Sequence, residues 1–151
     1  MKLTRYTDYA MRVLMHLGTR DDGEDGGLAS IAEIARAYDI SQNHLMKVVQ
    51  DLGRAGFVET VRGRNGGIRL GRKPEEINLG ELVRHTEAGF DLVDCAHCLI
   101  APACGLTGVL AEATRAFLAV LDKYTLAHLL DRRSQLRALF TLPHPARETT
   151  E

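Results

Sequence analysis

A chain of 151 residues that is 45% hydrophobic, 26% charged and 5% aromatic can bury one core without disulfides and is too apolar to stay disordered. Its net charge of −1 conceals an imbalance, because residues 36–73 hold eight basic and three acidic side chains, a net +5 that leaves −6 on the remainder. No apolar run nears the roughly 18 residues of a membrane span, and eight aromatic rings with no Trp give no platform for stacking single-stranded bases. Lys2, Arg5, Asp8 and Arg12 interrupt the apolar stretch a signal peptide needs, so the expected location is cytoplasmic, with no membrane partner.

Ala10, Val13, Leu14 and Leu17 recur at helical spacing and predict an amphipathic helix near 7–19, followed by a polar, Gly-rich loop over 21–27. Ser30 and Glu33 have the spacing of a capping box, opening a helix with Ile31, Ile34, Ala35 and Tyr38 inward. Asp39-Ile40 is a tight connection, and Ser41 caps the next helix, whose stripe is Leu45, Val48, Val49 and Leu52 and whose stop is Gly53 and Gly56. Residues 57–61 and 67–70 read as paired strands around the turn Arg62-Gly63-Arg64-Asn65-Gly66. Two helices across a short turn and then a hairpin make a winged helix-turn-helix.

Asn78 caps a short helix bearing Leu79, Leu82 and Val83, after which residues 89–104 lose periodicity and collect all three cysteines. Leu106, Leu110, Ala113, Phe117, Val120 and Tyr124 then follow a heptad rhythm, which fits packing along another helix, within the chain or in a second copy. The small helical body outside the winged helix favours the second copy. A final helix is predicted over 125–140, with a frayed tail beyond Pro143. The fold class is thus mainly α, with a winged helix-turn-helix DNA-binding domain at 1–88, carrying a two-stranded wing. A cysteine loop at 89–105 follows, then a long dimerisation helix and C-terminal helix at 106–142, and a flexible tail at 143–151.

In such a fold the second helix enters the major groove by its N-terminal residues, here Ser41, Gln42, Asn43, His44 and Lys47. Gln and Asn can pair bidentately with adenine, and Lys can reach guanine or phosphate. Arg62, Arg64 and Asn65 at the wing tip suit a minor groove, whose narrow A·T form attracts arginine. The competing reading is a charged surface merely solvated. Cys95, Cys98 and Cys104 form an odd set without a disulfide framework, and thiolates so spaced are soft ligands for an iron–sulfur cluster or zinc. A fourth ligand must come from elsewhere, with His97 and Asp94 as local candidates. A redox pair at Cys95 and Cys98 is a third possibility, but no βαβ pattern surrounds it.

The segments LTRYTDYA (3–10), NHLMKVV (43–49), VRGRNGGIRLG (61–71), CLIAPAC (98–104) and LDKYTL (121–126) give the chain its family likeness. It resembles the Rrf-two family of winged-helix iron–sulfur regulators over nearly its whole length, and within that family the nitric-oxide-sensing repressors. The resemblance implies a non-enzymatic homodimer binding double-stranded operator DNA with an inverted repeat. It implies a cluster on Cys95, Cys98 and Cys104, 4Fe-4S in preference to 2Fe-2S, with Asp8 of the partner subunit as the remaining ligand. A sibling branch places a histidine three residues past its last cysteine, where Thr107 stands here, and an iron-responsive branch carries asparagine where Asp8 stands. The family ordinarily sets its first two cysteines further apart than Cys95 and Cys98. The alternatives are an iron- or redox-responsive regulator of the same family and a structural-zinc DNA-binding protein.

Overall fold

Residues 1–20 and 26–142 are described by the computed structural model. Thr4, in extended conformation, caps α1 (Arg5–Gly18) by accepting from the Thr7 N–H, and Ala10, Val13, Leu14 and Leu17 are buried along one face. Ser30 caps α2 (Ile31–Tyr38), accepting from the Glu33 N–H at 3.1 Å. Only this half of the expected capping box forms, because Arg20 draws the Glu33 carboxylate away at 2.6 Å. Helix α2 ends on Asp39 at φ 52°, where the Ile40 N–H reaches back to the Ala35 carbonyl and closes a left-handed cap.

Helix α3 (Gln42–Arg54) starts immediately after this turn, with Leu45, Val48, Val49 and Leu52 buried. Two details differ from expectation. Ser41 occupies the N-cap position, but its hydroxyl makes no capping bond. Gly53 lies inside the helix, and the chain reverses instead at Gly56, φ 83°, with the Phe57 N–H bonded to the Leu52 carbonyl at 3.0 Å. That reversal directs Phe57, expected in the first strand, into the core, where Arg72 sits 4.4 Å from its ring centre.

Strands β1 (Val58–Val61) and β2 (Gly67–Leu70) pair antiparallel, Val58 facing Leu70 and Val61 facing Gly67. Ile68 also exchanges two backbone bonds with Ala29, 2.8 and 2.9 Å, so the segment entering α2 is stitched to the wing. This close approach requires glycine at 67, where a Cβ would lie 2.6 Å from the Ala29 carbonyl oxygen. Asn78 caps α4 (Leu79–Thr86) by accepting from the Glu81 N–H. The cysteine loop follows, irregular apart from one 3₁₀ turn, and leads into α5 (Leu106–Leu121).

The predicted final helix is broken into α6 (Leu126–Leu129) and α7 (Arg133–Phe140). The break lets Leu126 and Leu130 enter the core beside α1 and brings Phe140 onto His16, ring centres 4.5 Å apart. Residues from α1 to α4, the hairpin and α6 share one hydrophobic core, whereas α5 buries no residue. The polar stretch at 21–25 and the tail at 143–151 lie outside the described residues.

Candidate nucleic-acid interface and cysteine loop

The buried stripe of α3 points its other face outward, and Ser41, Gln42, Asn43, His44 and Lys47 are all exposed there. Arg62, Arg64 and Asn65 are exposed on the turn between β1 and β2. The structure divides the basic segment in two. Arg69 is bound to Glu59 at 2.9 Å, which holds that carboxyl below its ordinary range, and Arg72 is bound to Glu81 at 3.0 Å. Among the described residues no ion pair engages Lys47, Arg62 or Arg64. A helix face carrying polar groups able to bond base edges, beside a hairpin tip carrying unneutralised guanidinium groups, is what groove and phosphate contact require.

The three thiols are free and lie in the loop between α4 and α5, Cys98 exposed and the other two half-buried. The backbone there advances in three-residue turns, the Cys98 N–H bonding to the Cys95 carbonyl, Ala101 to Cys98, and Cys104 to Ala101. Cys95, Cys98 and Cys104 therefore each lie at the end of a turn, with Ala101 at the corner between the last two. Cys95 Sγ is 3.4 Å from the Thr107 hydroxyl in the first turn of α5. A cavity of about 750 Å³ adjoins it, lined by Phe90, Leu92, Cys95, Leu110 and Thr114 among others.

In kind, the donor set fits an iron–sulfur cluster: three unbridged thiols, the ligands such clusters use. Among the described residues of one chain, however, no three His, Cys, Asp or Glu side chains are gathered closely enough to hold a metal ion. His97 and Asp94 face each other at 3.8 Å and are largely exposed. Asp8 lies in the first turn of α1, where Arg12 holds both its oxygens at 2.9 and 3.0 Å. The i,i+4 spacing of Asp8 and Arg12 is the local signal by which this helix-face ion pair could have been found.

Sequence reasoning missed a second polar cluster, at the end of α4. Glu87 Oε1 accepts from the Thr4 N–H at 2.8 Å, the Thr4 hydroxyl at 3.0 Å and the Thr7 hydroxyl at 2.6 Å. Burial pushes the Glu87 carboxyl up, but these bonds outweigh it and leave it below its ordinary range. His85 Nε2 lies 2.9 Å from Asp51 Oδ2 of α3. No local pattern marks these residues, whose partners are far away in sequence.

Residues 3–132 match the Rrf2 family, described as an iron-dependent transcriptional regulator. The chain belongs to the Rrf2 family. Among similar Rrf2 proteins is the HTH-type transcriptional regulator NsrR of Bacillus licheniformis, 52% identical over 93% of this chain and 100% of that protein. NsrR of Bacillus subtilis is also 52% identical, over 94% of this chain and 99% of its own. The oxidized form of CymR from Staphylococcus aureus superposes with a TM-score of 0.70 at 26% identity, covering 87% of this chain and 97% of that one. IscR of T. potens, at 24% identity and a TM-score of 0.70 over 91% of each chain, shares the fold. This Rrf2 protein is therefore a DNA-binding transcriptional regulator of the NsrR type and not an enzyme. No helix among its described residues is long and apolar enough to cross a membrane.

Proposed function

We propose that this Rrf2 regulator is a cytoplasmic, homodimeric repressor of an inverted-repeat operator, and that it loses the operator when an iron–sulfur cluster is damaged by nitric oxide. The winged-helix body, the cysteine loop and the α5 arm are its three working parts. Ser41, Gln42, Asn43, His44 and Lys47 enter the major groove, and Arg62, Arg64 and Asn65 the minor groove. Cys95, Cys98 and Cys104 hold the cluster, 4Fe-4S in preference to 2Fe-2S, with Asp8 of the partner subunit. The observation that carries the reading is the set of three unbridged thiols at turn ends of one partly exposed loop, joined directly to α5.

When bound, the cluster supplies iron that takes up nitric oxide. A carboxylate is a harder and weaker partner for such iron than a thiolate, so Asp8 would be the most weakly held of the four ligands. Arg12 stands ready to receive it, because the exposed Asp8–Arg12 pair is a contact worth only about 0–1 kcal/mol and easily exchanged. The apolar, unburied face of α5 supplies the surface on which a second copy seats, bringing its own Asp8. Two recognition helices must then match half-sites about one helical turn apart, a spacing that small subunit rotations destroy.

Anaerobic purification, a visible spectrum and iron analysis test the reading, followed by titration with nitric oxide and a DNA-binding assay. Visible absorbance that nitric oxide bleaches, with release of DNA, is the expected result. Cys95→Ala, Cys98→Ala and Cys104→Ala should each abolish that absorbance while leaving a folded dimer. A colourless wild-type protein with stoichiometric zinc would replace the cluster by a structural metal. A normal spectrum for Cys95→Ala would remove that residue from the site. Cluster loss on iron depletion, with no response to nitric oxide, would make this an iron-responsive regulator.

A further inference from the structure

Three consecutive residues at the end of α4 grip two different helices of the DNA-binding body. Glu87 takes three hydrogen bonds on one carboxylate oxygen from Thr4 and Thr7, which begin α1. The Thr7 hydroxyl, fully buried, lies 2.8 Å from the hydroxyl of Thr86, which in turn donates to the Leu82 carbonyl of α4. His85 meets Asp51 of α3 at 2.9 Å, and its ring lies 5.8 Å from that of Phe57, just beyond the α3 cap.

The same helix is tied on its other flank to the end of α5. Arg84 grips Asp122 with two bonds, 2.5 and 2.9 Å, and Asn78 Nδ2 donates to the Asp122 carbonyl at 2.8 Å. The cysteine loop leaves α4 directly after Glu87 and re-enters regular structure at α5, so α4 holds the start of the segment carrying the thiols directly and reaches its other end only through the length of α5, which Asp122 closes. Thr7, bonded to Glu87, immediately precedes Asp8.

We infer that the end of α4 is the joint through which the cysteine loop positions the recognition helix, Glu87 acting on α1 and His85 on α3 through Asp51. Glu87, His85 and Asp51 are thus positioning residues, with no DNA or cluster contact of their own. The inference rests on the cluster-sensing reading above and names the residues that carry its signal. Polar groups suit the task because hydrogen bonds are directional: a small displacement of residue 87 breaks them or drags Thr4 and Thr7 along, whereas an apolar contact would slide.

The test compares DNA affinity of the cluster-loaded and cluster-free protein, at fixed salt, on a duplex selected by the wild-type protein from a random-sequence pool. The wild type should differ between the two states by about 5–150-fold, the usual span of coupling between sites. Glu87→Met and Asp51→Leu remove the accepting oxygens at similar volume, and each should reduce that ratio to within about threefold while the loaded visible spectrum is retained. If Glu87→Met folds poorly, Thr7→Val removes a single donor in an isosteric side chain and should reduce the ratio likewise. A merely structural role would lower thermal stability and leave the ratio intact, and an unchanged ratio in these variants overturns the joint. A wild type with no difference between its states would overturn the sensing reading itself and the joint with it.

Discussion

Lys47, Arg62 and Arg64 carry exposed charge with no carboxylate beside them among the described residues, while Arg69 and Arg72 of the same basic stretch are neutralised by Glu59 and Glu81. Arg62→Ala and Arg64→Ala should therefore weaken DNA binding, most where the minor groove at the wing is narrow and A·T-rich, and lower the salt slope by about one each. Gln42→Ala or Asn43→Ala should instead cost about 1–3 kcal/mol at particular base pairs, read in a competition assay against single-base variants of the duplex. Equal loss on every sequence from all four substitutions would show that α3 does not read base edges.

His16 is 4% exposed, its Nδ1 has no hydrogen-bond partner among the described residues, and it packs between Tyr38 and Phe140. Burial pushes its imidazole below the ordinary range, Glu33 partly opposing this and Arg20 adding to it. The unfolded chain takes up that proton near pH 6.5, so it binds more protons than the folded chain below that point. Stability should accordingly be full above about pH 6.5 and fall as pH drops through 6.5 toward the lower folded value. The Glu87 carboxyl, likewise depressed, contributes fully above the ordinary carboxylate range and loses that contribution as pH falls from there through its lower folded value. Denaturant titrations between pH 5 and 8 should show the first effect, and His16→Phe should flatten it.

At the scale of elements, the wing is more than a hairpin. Ala29 adds a third backbone partner to it through Ile68, fixing the tip arginines relative to α2 and hence to α3. Gly67→Ala would drive a methyl against the Ala29 carbonyl, backbone that cannot rotate aside. It should cost about 1–3 kcal/mol in denaturant unfolding. It should also reduce DNA affinity more than that stability loss explains, because the tip is displaced. Unaltered affinity would mean that the wing acts independently of its anchor. The broken C-terminal helix has a related role: Leu126 and Leu130 close the core against α1, so the end of α5 is pinned to the body rather than swinging from it.

For the whole molecule, the telling feature is a sixteen-residue helix with nothing buried. Leu106, Val109 and Val120 are each at least half exposed on α5, as is Ile100 in the loop before it, and helices of this length are seldom stable without packing of an apolar face. In the proposed dimer a second copy covers that face. Val109→Glu and Val120→Glu should give a monomer by sedimentation while leaving the unfolding midpoint of the winged-helix core nearly unchanged, since neither residue touches that core. A mixed dimer tests whether Asp8 acts across it. One chain carries Asp8→Ala and the other carries both Cys98→Ala and Cys104→Ala. If Asp8 serves the partner, the first chain's cysteines receive the second chain's intact Asp8 and one cluster forms per dimer. If Asp8 serves its own chain, no site is whole and the mixed dimer is colourless.

Periodic spacing of Ala10, Leu14, Ile34, Leu45 and Leu52, the turn at Asp39 and the Gly-rich hairpin identified a winged helix without any structure, because each feature is local and burial follows a 3.6- or 2-residue repeat. The family, too, was legible in short segments, as was the concentration of all three thiols in one loop. Other features were decided by partners distant in sequence. Arg20 took the carboxylate that local rules gave to Ser30, and the core beside α1 broke a helix that its own residues would have continued. Folding alone separated the paired arginines from the exposed ones, and it alone brought Glu87 to Thr4 and Thr7 across some eighty residues. A carboxylate's partner is set by which backbone passes within about 3 Å of it, and that depends on the packing of the whole chain.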